Sequence, residues 1–140
     1  MIDLKAKIGE CENFHWYEAL SLPSWEVFVF PTKQEVIAIK IVALRMEQIR
    51  KYFGAKPIMI HSWLRPRKYN DYIGGAEESA HIHGMAVDFS ILHMDCNEVR
   101  LALIKKLIEY NLRMEDLPDS NWVHIDIAMR TRSARRYFKP

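Results

Sequence analysis

The run from Thr32 to Gly54 restricts the fold of this chain more than any other stretch. Thr32-x-x-Glu35 has the form of a capping box, in which a hydroxyl and a carboxylate satisfy free amide groups at a helix start. Ile39, Val42, Met46, Ile49 and Phe53 then recur at three and four residues, Lys40, Glu47, Arg50 and Lys51 lie off that stripe, and Gly54 is a suitable stop. The spacing predicts a long amphipathic helix over 33–53. Residues 57–60 read as a short buried strand, and 84–91 alternate, with Met85, Val87, Phe89 and Ile91 on one side and Ala86, Asp88 and Ser90 on the other. In 122–127, Val123, Ile125 and Ile127 form one face and Trp122, His124 and Asp126 the opposite one. Asp95-x-x-Glu98 caps a second helix, over 97–110, with Val99, Leu103, Leu107 and Tyr110 buried. The first 31 residues, broken by Pro23 and Pro31, read as a packed arm with short turns, and 111–121 as a polar connection. The fold class is therefore α+β, a small, mainly antiparallel sheet packed by two main helices.

Composition closes off several other classes. A chain of 140 residues, 49% apolar and 27% charged, has the size of one domain, 1–140, and an ordinary globular make-up, which excludes disorder and collagen-like repeats. No apolar run reaches the ~18–20 residues of a membrane span, and the N-terminus lacks a secretory signal, so synthesis in the cytosol is expected. A net charge of +2 predicts no strong attraction to nucleic acid. Arg130, Arg132, Arg135, Arg136 and Lys139 form a local basic end, read as a solvated segment that could assist contact with an anionic polymer. Cys11 and Cys96 are too few for a disulfide framework and read as buried apolar residues.

The polar stretch 62–83, rich in turn formers, is too long to be a mere connection. His81 ends it, and Asp88 projects from the polar side of the strand that follows, so a turn at Gly84 can bring imidazole and carboxylate together. His124, on the polar side of another strand, supplies a third ligand if the two strands are neighbours. Two histidines and one carboxylate are the ligand set of a catalytic zinc site, with a fourth position left for water. Taken alone, each histidine reads as a hydrogen-bonded structural residue, and His15 and His61 keep that reading. His83, one residue beyond His81, is assigned to solvent or a supporting role. Trp63 either packs under the site or lines a groove.

The stretch Ser62-Trp63-Leu64-Arg65-Pro66-Arg67-Lys68-Tyr69-Asn70, then Gly74-Gly75-Ala76, Ser79-x-His81-x-x-Gly84-x-Ala86-x-Asp88 and Trp122-Val123-His124-Ile125-Asp126, resembles the M15 zinc peptidases. These are D-Ala-D-Ala carboxypeptidases and peptidoglycan endopeptidases that share the hedgehog fold. The resemblance implies one zinc ion per chain held by His81, Asp88 and His124, with a metal-activated water attacking a stem-peptide bond. It implies that Arg65 holds a substrate carboxylate or the oxyanion, that Ser79 supports the site, and that Asp126 orients a histidine. Many members carry the general base three residues before the last zinc histidine, where this chain has Asn121, an amide that takes no proton. Glu115, Asp116 and Asp119 are available in its place, with Glu115 preferred narrowly over Asp119 because Arg113-Met114-Glu115-Asp116 before the Trp-Val-His resembles a run in phage-type members. The likeness is to phage and prophage members, which implies a monomeric lysis or virion-associated enzyme acting at the cell wall. A second reading, supported by Asn121, is a module that keeps zinc but lacks turnover. A third, a cupin-like metal protein suggested by His81-x-His83 with Asp88, fares badly, because cupins need many short strands.

Overall fold

The computed structural model describes residues 1–128 and 135–140. Within them the chain runs through α1 (Trp16–Leu20), β1 (Ser21–Leu22), β2 (Val27–Phe28), α2 (Lys33–Tyr52), β3 (Ile58–Ser62), α3 (Arg67–Tyr72), β4 (Ala86–Ile91), α4 (Cys96–Leu103), β5 (Arg113–Glu115), β6 (Val123–Asp126) and β7 (Tyr137–Phe138). β1 and β2 form a small antiparallel hairpin, and the main sheet has the order β3-β4-β6-β5-β7. Every pairing in the main sheet is antiparallel except β5 with β7. The architecture is α+β, as the sequence pattern predicts.

α2 begins at the predicted capping box. The Thr32 hydroxyl accepts from the Glu35 amide at 3.2 Å, and the Glu35 carboxylate accepts from the Thr32 amide at 2.7 Å. Ile39, Val42, Ala43, Met46 and Ile49 on its inner face join Val87, Phe89 and Ile91 of β4, Val123 and Ile125 of β6 and Met114 of β5 in one core cluster. Each such large side chain, fully buried, contributes about 1.5–3 kcal/mol relative to exposure. The N-terminal arm is fastened to the outside of α2, where the Glu47 carboxylate accepts from the amides of Glu12 and Asn13 and from the Asn13 side chain, at 2.7–2.9 Å. Ile8, Cys11 and Phe14 of that arm reach the core.

Three expectations change. The second helix is shorter than 97–110: it leaves α-helical hydrogen bonding at Leu103, tightens into a 3-10 turn, Ile104–Lys106, and reverses at Asn111, whose φ is +51°. Of the predicted stripe Val99, Leu103 and Leu107 are buried and Tyr110 is only partly so, while Cys96 and Arg100 are buried as well. The connection 111–121 contains a strand, β5, and 62–83 holds a helix, α3, and a 3-10 turn, Ala80–His83. Cys11 and Cys96 are buried free thiols, as expected.

No helix among the described residues is long and apolar enough to cross a membrane. Of the basic end, Arg130 and Arg132 lie outside the described residues. Arg136 is partly buried and donates to Leu112 O and Asn111 Oδ1.

Candidate metal centre

The side of the sheet away from the core collects polar groups because β4, β5 and β6 each alternate. Asp88 sits directly opposite His124, and Ala86 opposite Asp126, in the β4–β6 ladder. Arg113 lies opposite Asp126 and Met114 opposite Ile125, which sets Arg113 and Glu115 on the polar face of β5. His81 comes from the 3-10 turn before β4. The Ser79 hydroxyl accepts from the His81 amide at 3.3 Å and caps that turn. Gly84 ends it at φ +71°, where a Cβ would lie 3.0 Å from Ile39 of α2, so both conformation and packing demand glycine. Upstream, the buried Asn70 side chain donates to Ala76 O at 2.9 Å, and a Cβ on Gly75 would overlap that carboxamide.

One ligand atom each from His81, Asp88 and His124 falls within 4.8 Å of the others. His81 Nδ1 lies 2.7 Å from Trp63 O, which only accepts, so Nδ1 carries the proton and Nε2 turns its lone pair toward Asp88 Oδ1, 3.1 Å away. His124 Nε2 donates in the same way to Asp126 Oδ2 at 3.1 Å, leaving Nδ1 2.9 Å from the same Asp88 oxygen. Two ring nitrogens and a carboxylate oxygen thus converge, an arrangement able to hold a cation at its centre. Tetrahedral ligands about 2 Å from a zinc ion stand roughly 3.3 Å apart, close to these separations. The donor set therefore fits a divalent zinc-like ion, and both histidines have their remote nitrogen fixed by a protein acceptor, as metal-binding imidazoles usually do.

The electrostatics follow from burial and neighbours. Burial lowers the pKa of His81, outweighing the attraction of Asp88. Burial also opposes charge on His124, but its hydrogen bonds with Asp126 and Asp88 prevail and raise its pKa to about 9, so without a metal a proton fills the gap beside Asp88. Asp88 is pushed up by burial, yet His81 and His124 hold it well below the usual carboxylate range.

Two depressions flank the cluster. Asp88 lines one with Arg65, Tyr69, Ile73, Asn121 and Trp122. The Arg65 backbone amide donates to His81 O at 2.9 Å, and its side-chain Nε is buried with no hydrogen-bond partner among the described residues. Burial lowers the Arg65 pKa against the opposing fields of Asp88 and Glu115. The second depression is lined by His124, Glu115, Ser79, Arg113 and Phe138. Glu115 Oε1 is 3.8 Å from His124 Nε2, and burial raises its pKa. Asp119 is not brought to the cluster. Its amide and carboxylate bond the Asn97 side chain at the start of α4, and it lines a different depression with His93 and Asp95.

Among the other candidates, Trp63 is fully buried and packs in the core rather than lining a groove. His83 is exposed and outside the cluster, His61 bonds Ser90 Oγ at 2.7 Å, and His15 stacks on Tyr17. Sequence reasoning missed Arg113 and Phe138. The Arg113 Nε lies 3.3 Å from Asp126 Oδ1, and its guanidinium lies 3.9 Å from the centre of the Phe138 ring. The only available signal was an arginine two residues before a candidate base, which carries no pattern of its own.

A comparison with curated proteins finds no match to the chain. The family model described as Peptidase M15 matches residues 23–126, a span that runs from the hairpin through the whole cluster to Asp126 and covers most of the molecule. By that match the chain belongs to the Peptidase M15 family.

Proposed function

We propose that the protein is a zinc-dependent peptidase that hydrolyses peptide bonds in the stem peptides of peptidoglycan, as a D-Ala-D-Ala carboxypeptidase or an endopeptidase. The observation that carries this reading is the convergence of His81, Asp88 and His124 between two depressions that present Arg65 on one side and Glu115 on the other. His81 Nε2, Asp88 Oδ1 and His124 Nδ1 would hold the ion, and zinc bound there would lower the pKa of a coordinated water toward neutrality and polarise a substrate carbonyl. Glu115, a carboxylate whose basicity burial raises, accepts a proton from the attacking water and returns it to the leaving amine. Arg65 offers its buried Nε, which has no hydrogen-bond partner among the described residues, to a substrate carboxylate or to the developing oxyanion. Ser79 acts by capping the turn that presents His81, and Asp126 by fixing the His124 tautomer. We further infer a lytic or virion-associated role of the phage type, acting at the cell wall.

A second reading, zinc binding without turnover, draws on Asn121, which lies exposed at the rim beside Asp88 where many relatives carry the base. Purified sacculi separate the two. The peptidase releases soluble amino groups in a reaction abolished by chelator and restored by zinc, and mass spectrometry of defined fragments names the bond. A zinc-loaded protein that releases none is the binding module.

A further inference from the structure

The family match ends at Asp126, yet the polar face of the sheet continues into residues beyond it. β7 pairs in parallel with β5, placing Met114 against Tyr137 and Glu115 against Phe138, and the Tyr137 hydroxyl donates to Asp116 Oδ1 at 2.8 Å. This pairing sets the Phe138 ring over the Arg113 guanidinium, with the ring centre 3.9 Å away, and edge-on to the His124 imidazole at 6.4 Å. Arg113 is 8% exposed and is held from three sides. Phe138 covers it, Asp126 Oδ1 faces its Nε at 3.3 Å, and its Nη1 donates to Ala128 O at 3.3 Å. Asp126, 2% exposed, divides its oxygens: Oδ1 meets Arg113 and the Ala128 amide, and Oδ2 receives His124 Nε2–H. A continuous chain of contacts therefore runs from Phe138 through Arg113 and Asp126 to the imidazole whose other nitrogen faces Asp88.

We propose that Arg113, clamped by Phe138 of the C-terminal strand, is a positioning residue that sets the third metal-binding histidine through Asp126. A guanidinium suits the task because its fixed charge faces the carboxylate while Nη1 donates to a backbone carbonyl and its face stacks on the ring. Oδ1 is held by the Ala128 amide and by the charge of Arg113, whose Nε faces it at 3.3 Å as an ion pair without a hydrogen bond, so Oδ2 stays turned to His124 Nε2 and Nδ1 toward Asp88. The inference rests on the zinc reading given above and adds to it an element outside the family match.

The test uses the full chain, with zinc affinity read by competition against a chromophoric chelator and ligand geometry by the visible absorption of the cobalt(II) form. Circular dichroism and thermal melting of the metal-free proteins report the fold. Arg113→Met, which keeps volume and loses charge, is expected to weaken zinc binding about 10- to 100-fold and to alter the cobalt spectrum. Arg113→Lys, which keeps charge, retains more affinity than Arg113→Met, and Phe138→Leu loses roughly 2- to 5-fold. The double variant Arg113→Met/Phe138→Leu binds no worse than Arg113→Met, because the ring acts through the arginine. Wild-type affinity and spectrum in Arg113→Met, or a methionine variant that outperforms the lysine one, overturn the proposal. Should Arg113→Met not fold, Phe138→Leu decides, and its unchanged affinity and spectrum overturn it. A wild-type chain that binds no zinc defeats the metal reading as well, whereas zinc-binding wild type with indifferent variants defeats this inference alone.

Discussion

Asp88 and His124 face each other across the β4–β6 ladder, with His124 Nδ1 2.9 Å from Asp88 Oδ1, and the same oxygen meets His81 Nε2 at 3.1 Å. One carboxylate oxygen thus stands between two imidazoles. Replacing Asp88 by Asn keeps the shape and removes the charge, so zinc affinity is expected to fall further than the ~10- to 100-fold typical of outer partners. His81→Ala and His124→Ala should likewise take metal content from about one ion per chain toward zero. Elemental analysis of folded variants checks this, and unchanged content in all three sinks the centre.

The two acidic candidates for general base occupy different places. Glu115→Gln should lower kcat about 10²- to 10⁴-fold with zinc content intact. Asp119→Asn should leave kcat within about 2-fold, because that side chain bonds Asn97 and not the cluster. Parallel turnover and metal assays on the two variants provide the check. The reverse order of losses would move the base to Asp119.

Gly84 and Gly54 share a left-handed backbone but not a neighbourhood. Gly84→Ala places a Cβ 3.0 Å from Ile39, whereas Gly54→Ala meets nothing within 4 Å. Gly54→Ala is expected to cost about 1–2 kcal/mol from its backbone conformation, and Gly84→Ala a further ~1–3 kcal/mol from overpacking. Urea unfolding of both variants gives the comparison, and equal losses would contradict the close approach of α2 to the turn that carries His81.

Burial, aided by the nearby carboxylates Glu47 and Glu10, raises the Cys11 thiol from 9.0 to about 11. At pH 8 the native thiolate fraction is then about 0.1%, so alkylation of Cys11 should be slow until the chain unfolds. The sign of the linkage follows. The folded state holds this proton more tightly, so the contribution to stability is complete below about pH 9 and is lost as pH rises toward 11. Timed thiol labelling with and without denaturant tests the first part, and unfolding curves between pH 8 and 11 the second. Rapid labelling of Cys11 in the native protein would refute it.

Local rules account for much of the molecule. A capping box needs only four residues and their amides, so the start of α2 at Lys33 was readable. Alternation along 84–91 and 122–127 assigned Asp88, His124 and Asp126 to one face and their apolar neighbours to the other, since side chains in a strand repeat every two residues. The strand over 57–60 was also readable, although β3 extends to Ser62, past its predicted end, and it pairs with β4 across an intervening stretch that holds α3.

What the chain's own pattern determined, then, was the long helix, the faces of the two alternating strands and the three residues able to hold a metal. The preference for Glu115 over Asp119 came with the resemblance, but only the tertiary structure set Glu115 near His124 and Asp119 on Asn97, buried Trp63, and brought Arg113 and Phe138 to the same site. β5 and β7 have three and two residues, too few for any periodicity to register, and their place depends on pairing between segments distant along the chain. Such pairing is settled by how the whole core packs, because each strand must turn its apolar side chain inward, and that choice decides which polar neighbours face the metal.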